Sequence, residues 1–118
     1  MKVLVIGASN NPDRYAYKAV EMLLEYKHQP IPFSQKKADV CGLKIENEWK
    51  MWEEVHTITL YINPKLQENY YDLIIQLNPK RVIFNPGTEN KYFQNELNIN
   101  GIEAIEACTL VMLRTNQF

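Results

Sequence analysis

Short runs of β-branched and aliphatic residues recur along the chain, separated by stretches whose apolar positions repeat at helical spacing. The first run, Lys2–Gly7, is continuous in valine, leucine and isoleucine, the pattern of a strand buried on both faces. Asn11 followed by Pro12 reads as a helix cap and first helical position, and Ala16, Ala19, Val20, Leu23 and Leu24 then share one stripe. A second run, Gln29–Phe33, contains Pro30 and Pro32 and belongs at or near a sheet edge. From Ser34 to Glu54 the pattern is irregular: Val40 to Ile45 forms a short extended piece, and Trp49, Met51 and Trp52 are expected to cover one end of the sheet.

The third strand is Thr57–Ile62. Asn63-Pro64 then repeats the cap-and-proline signal, with Leu66, Tyr70, Leu73, Ile74 and Leu77 as the buried stripe of a second long helix. Arg81–Asn85 is the fourth strand, closed by the turn Pro86-Gly87. Thr88 starts a third helix carrying Tyr92, Phe93 and Leu97, which stops at Asn100-Gly101. Ile102–Ile105 is the fifth strand, and Thr109–Arg114 adds a tail helix or an extended strip. Strands alternating with helices predict an α/β fold, and right-handed crossovers make it Rossmann-like and doubly wound. The expected sheet is five-stranded and mainly parallel, with helices on both faces, in a single domain over residues 1–118. Ligands of such sheets sit beyond the carboxyl ends of the strands, where the winding reverses. That rule gathers Gly7–Arg14, Phe33–Lys37, Tyr61–Pro64, Asn85–Thr88 and Glu106–Thr109 around one crevice.

Composition supports a globular chain and removes several function classes. The 118 residues are 46% hydrophobic and 23% charged, with a formal charge of −1. No overall field draws the protein to nucleic acid or to an anionic membrane, so phosphate recognition has to come from local arrangement. The opening apolar run is short for a signal peptide, and no stretch reaches the length of a membrane span. Cys41 and Cys108 stand far apart without a CxxC, which removes zinc and dithiol readings. A reduced, cytoplasmic location is expected.

The stretch Gly7-Ala8-Ser9-Asn10-Asn11-Pro12 is the most informative. Gly7 ends a buried strand where a larger side chain would block a ligand, and the free N–H groups of the following helix favour an anion. Ser9 and Asn10 add side-chain donors. A dinucleotide fingerprint would have glycines at Ser9 and Pro12 and an acid at the end of the second strand. Here that strand ends in Phe33-Ser34-Gln35-Lys36-Lys37. Lysines in place of the acid speak against NAD and leave NADP or coenzyme A, both of which carry an extra ribose phosphate.

Gly7-Ala8-Ser9, Pro12-Asp13-Arg14, Tyr17 and Ile31-Pro32-Phe33-Ser34 resemble the small stand-alone bacterial CoA-binding proteins, relatives of the CoA-binding domain of the succinyl-CoA synthetase α subunit. Asn85-Pro86-Gly87-Thr88-Glu89-Asn90 resembles that family's later glycine turn, and Cys108 matches a cysteine common in it. The similarity covers nearly the whole chain in order and spacing. The family usually has proline at Gln35 and glycine near Lys27-His28 and near Asn78, departures expected to loosen the match around the adenine and ribose end. The resemblance implies binding of coenzyme A or an acyl-CoA without catalysis, in a groove lined by Gly7, Ser9, Asn10, Arg14, Ser34, Lys36, Asn63, Pro86 and Gly87. With Gly7 and Ala8 opening the turn, the first helix start would hold the pyrophosphate, assisted by Arg14. Lys36 or Lys37 would hold the 3′-phosphate, and Ile62-Asn63 and Pro86-Gly87 would flank the adenine or the pantetheine.

Other candidates carry less. His28 and His56 are isolated, Ser9 does not lie in GxSxG, and the acidic Glu46–Glu54 stretch reads as a solvated face. Cys108 is a thiol for disulfide exchange only if its thiolate is stabilised, and otherwise a packed cysteine. Of Tyr15, Tyr17, Tyr70 and Tyr71, Tyr17 alone is expected near the groove. No paired acid–base constellation stands out, no membrane or nucleic-acid partner is expected, and the sequence does not show an enzyme. Two rival readings remain: a small NADP-dependent oxidoreductase, and an interaction protein that keeps the fold without the ligand.

Overall fold

In the computed structural model, which describes residues 1–118, β1 (Lys2–Ile6) lies inside a parallel sheet between β2 (Gln29–Phe33) and β5 (Val55–Leu60). Its alternating side chains feed two cores. Val3 and Val5 pack with Val20 and Leu23 of α1 (Tyr15–Glu25) and Leu113 of α5 (Thr109–Arg114), whereas Leu4 and Ile6 pack on the other face. That second face holds Ile74 of α3 (Tyr71–Leu77) and Phe93 and Leu97 of α4 (Lys91–Ile99). A strand buried on both faces has no room for polar alternation, which is why the run reads as continuous.

β6 (Arg81–Phe84) and β7 (Glu103–Glu106) complete the sheet in the order β2-β1-β5-β6-β7, all neighbours parallel. The chain builds outward from β1 to the proline-bearing edge β2, returns past β1 to β5, and builds the other way. The winding therefore reverses between β1 and β5, and their carboxyl ends diverge into a crevice. No helix is long and apolar enough to cross a membrane.

The irregular segment contains a small hairpin, β3 (Asp39–Val40) and β4 (Leu43–Lys44), turned by Cys41 and Gly42 at φ +51° and +82°. It buries Val40 and Ile45 against the α1 face. Trp49 and Trp52 meet the ring of Phe33 edge-on at 5.4 and 5.9 Å and cover the end of β2 as expected. Met51 does not join them; it is 57% exposed, because the two tryptophans take the inward positions.

Several boundaries differ from the sequence expectation. Asn11 does not cap α1. Its Oδ1 accepts from Asp13 N at 3.0 Å, making a turn through Pro12-Asp13, and α1 begins only at Tyr15. Leu24 lies at the exposed margin of the α1 stripe. The second long helix is broken into α2 (Pro64–Gln67), a 3-10 turn (Glu68–Tyr70) and α3. Gln67, not Leu66, faces inward there, because its amide satisfies three buried polar groups: it donates to Ile62 O and Thr88 O and accepts from Asn90 Nδ2. Asn90, not Thr88, caps α4, accepting from Phe93 N at 3.1 Å. Tyr92, next to the inward Phe93, turns to solvent. Asn63 does cap α2, accepting from Leu66 N at 2.9 Å.

Candidate functional site

At the reversal point the β1–α1 loop, the end of β2 and the end of β5 enclose a crevice of about 590 Å³. Gly7 makes it possible. Its φ is +97°, and a Cβ there would meet Ile62 Cγ2 and the Tyr61 carbonyl group at 3.0 Å. The amides of Gly7 and Ala8 both donate to Phe33 O, at 2.8 and 3.1 Å, tying the loop across to β2. Ser9 Oγ accepts from Asn11 N at 3.0 Å, and the Asx turn at Asn11 then delivers the chain to Arg14, the N-cap of α1. No side chain caps α1 and its first turn holds no acid, so the first amides of α1 have no side-chain partner where Tyr15 and Ala16 line the crevice. Arg14 and Lys36 bring two cations to the lining and Asp13 one carboxylate.

Lys36 reaches the crevice because its loop is braced from behind. Ser34 Oγ accepts from Lys36 N at 3.1 Å, and the Asn47 side-chain amide donates to Ser34 O and Lys36 O at 2.8 and 2.9 Å. Gly7, Ala8, Ser9, Arg14, Ser34, Lys36 and Ile62 thus share one lining. Lys37 turns toward a separate depression with Ala38, Asp39 and Lys44. Asn63 commits its Oδ1 to the α2 cap, and Gly87 N donates to Glu89 Oε1 at 2.9 Å. Neither Asn63 nor Gly87 lines the crevice, and neither does Asn10.

A second crevice, of about 340 Å³, adjoins the first and shares Tyr15 and Tyr61 with it. Asn85, Pro86, Cys108, Leu110, Val111 and Arg114 supply the rest of its lining, so Pro86 belongs here. Asn85 builds this wall from inside: its Nδ2 donates to Thr59 Oγ1 and Leu60 O, and its Oδ1 accepts from Thr109 N at 2.9 Å. The last of these bonds caps α5 from a neighbouring strand end and holds Cys108 at the rim. The Tyr61 hydroxyl is buried with no hydrogen-bond partner. Desolvation pushes its pKa up to about 12, opposed by the neighbouring Thr109 hydroxyl and reinforced by Cys108.

Asp13 and Tyr61 fall within the segments expected around the crevice without having been singled out, whereas Tyr15 and Ala16 on the first lining and Leu110, Val111 and Arg114 on the second were not expected there. Tyr61 had a usable signal, its place at the end of β5 in the expected crevice. The expectation for Tyr17 is corrected: Tyr15 lines the groove, while Tyr17 faces Cys41 on the hairpin, whose proximity raises its hydroxyl pKa. Tyr15 opens α1, and Tyr17, two residues on in the same turn, projects from the opposite side of the helix. His28 and His56 lie at the amino ends of the strands, across the sheet from both crevices.

A family model described as a CoA binding domain matches residues 1–114. Comparison with curated proteins finds none that matches. Among solved structures, the crystal structure of an uncharacterized protein is 50% identical, with a TM-score of 0.98 over 99% of this chain and 97% of that one. A Thermus thermophilus protein is 18% identical, with a TM-score of 0.86 over 99% of this chain and 90% of that one. A Pyrococcus furiosus protein is 24% identical, with a TM-score of 0.82 over 93% and 97%. The two more distant likenesses establish the fold alone.

Proposed function

Because the chain belongs to the CoA binding domain family, we propose that it binds coenzyme A or an acyl-CoA as a non-catalytic module, with the nucleotide end in the crevice at the β1–β5 reversal. The observation that carries this reading is the uncapped start of α1 beside Gly7, with Arg14 and Lys36 on one lining. Free helix N–H groups and a guanidinium suit a pyrophosphate, and a glycine leaves the backbone approachable. Arg14 bonds the pyrophosphate in this assignment, and Lys36 meets the 3′-phosphate at the far end. Ser9 adds a donor at the turn and Ile62 flanks the nucleotide, while Pro86 flanks the pantetheine arm. A protein held in reduced surroundings in the cytoplasm would meet this ligand with its thiol free.

Thermal unfolding with added CoA, acetyl-CoA, NADPH and NADH tests the reading. CoA and acetyl-CoA are expected to raise the melting temperature, by about 2.7 kcal/mol of stabilisation at a hundredfold excess over Kd. A rise with NADPH alone would favour an NADP enzyme. The role of Lys36 has its own check: Lys36→Ala is expected to weaken CoA on the order of tenfold and to leave dephospho-CoA nearly unchanged. Equal losses for the two ligands would reject that role.

A further inference from the structure

From the second crevice we infer that the protein prefers coenzyme A esterified to a short aliphatic acyl chain over free coenzyme A, with the chain seated between Pro86, Leu110 and Val111. This deepens, and rests on, the proposed nucleotide site. The two crevices adjoin at Tyr15 and Tyr61, so one extended ligand can lie across both. Their chemistry differs in the way such a ligand requires. The first offers free helix amides and two cations. The second is walled by Tyr15, Pro86, Leu110 and Val111, with its one charge, Arg114, in the last turn of α5.

The fold itself leaves this apolar surface wet. Tyr15 is 68% exposed and Val111 50% exposed, on the facing helices α1 and α5. A free thiol would cover little of that surface. An acyl chain of a few carbons buries it, and a volume of about 340 Å³, at the lower end of ligand pockets, is in proportion to such a chain beside the end of the arm. A ligand anionic at one end and aliphatic at the other matches both crevices at once.

Titration calorimetry with CoA, acetyl-CoA and butyryl-CoA tests the inference, with adenosine 3′,5′-bisphosphate as the probe of the first crevice alone. Affinity is expected to rise roughly fourfold for each methylene buried, and so on the order of tenfold from acetyl to butyryl. Val111→Glu, at a half-exposed position on α5, should bring the butyryl-to-CoA affinity ratio toward unity. In the unaltered protein, butyryl-CoA should also slow alkylation of Cys108, followed by peptide mapping, beyond the protection given by CoA. Binding of the bisphosphate together with equal affinities for CoA and butyryl-CoA would overturn this inference and leave the nucleotide site standing. Failure of both CoA and the bisphosphate to bind would overturn the two together.

Discussion

Gly7 shows how much one residue decides. Two constraints converge on it: a left-handed backbone at φ +97°, and a wall of Ile62 and Tyr61 atoms 3.0 Å from where a Cβ would stand. Gly7→Ala is expected to cost about 1–3 kcal/mol, because it adds backbone strain and displaces the end of β5. The urea midpoint should fall with the slope unchanged, and an unchanged midpoint would contradict the close approach. Lys27 and Asn78 carry the opposite lesson. Both stand where the resembling family has glycine nearby, and both keep positive φ, +68° and +53°. Asn78 ends α3 in the left-handed conformation that asparagine tolerates. These two turns lead into β2 and β6, at the amino ends of the strands. The departures there line neither crevice. In a parallel sheet, helix-to-strand turns lie on the side away from the ligand.

At the scale of elements, the dipeptide Asn-Pro occurs twice with two outcomes. Asn63 bonds Leu66 N and opens a helix; Asn11 bonds Asp13 N and opens a turn. Local propensity allows both, since asparagine side chains satisfy either pattern. The difference is what α1 must pack on: its buried stripe, Ala16, Ala19, Val20 and Leu23, meets β1 and α5 only after the chain has crossed the strand end. The helix starts also rank in energy. Asn63→Ala removes an exposed cap and should cost about 1 kcal/mol. Asn90→Ala removes a buried cap and strips partners from Gln67 Oε1 and the Tyr71 hydroxyl. Its cost should be about 2–3 kcal/mol. Urea denaturation of both variants under one condition measures the difference; equal costs would mean that the Gln67–Asn90 network does not stabilise the turn after β6.

For the whole molecule, charge is unevenly placed across the sheet. At the end opposite the crevices, burial lowers the pKa of His28, with the Met1 amino group and Arg81 adding to the effect. Burial likewise lowers the pKa of His56, followed by Arg81 and the same amino group. A histidine harder to protonate when folded than when unfolded makes unfolding take up a proton in acid. Its contribution to stability is complete above the ordinary histidine value of about 6.5 and is lost as the pH falls below it. Melting temperature should therefore decline from about pH 6.5 downward, and His28→Gln with His56→Gln should flatten that slope. A slope unaltered by the double replacement would place the titrating groups elsewhere.

The centre of the sheet is legible in the sequence because β1, β5 and β6 are local runs whose burial on two faces leaves a mark in composition, whereas the edge strand β7 has no buried residue and is read from its place after the third helix. From strand alternation and handedness followed the reversal beside β1, and with it the neighbourhood of Gly7, Ser9, Arg14, Ser34 and Lys36. Tertiary packing alone decided the rest. Whether Leu66 or Gln67 faces inward depends on Ile62 and Thr88 carbonyls supplied by other turns. Whether Tyr15 or Tyr17 reaches the first crevice depends on which side of α1 packs on the sheet. The second crevice arises only when α5 folds back against α1, bringing Leu110 and Val111 beside Tyr15. Periodicity reports which way a side chain points relative to its own element; it carries no information about the partner it meets, because that partner is set by contacts far apart in sequence.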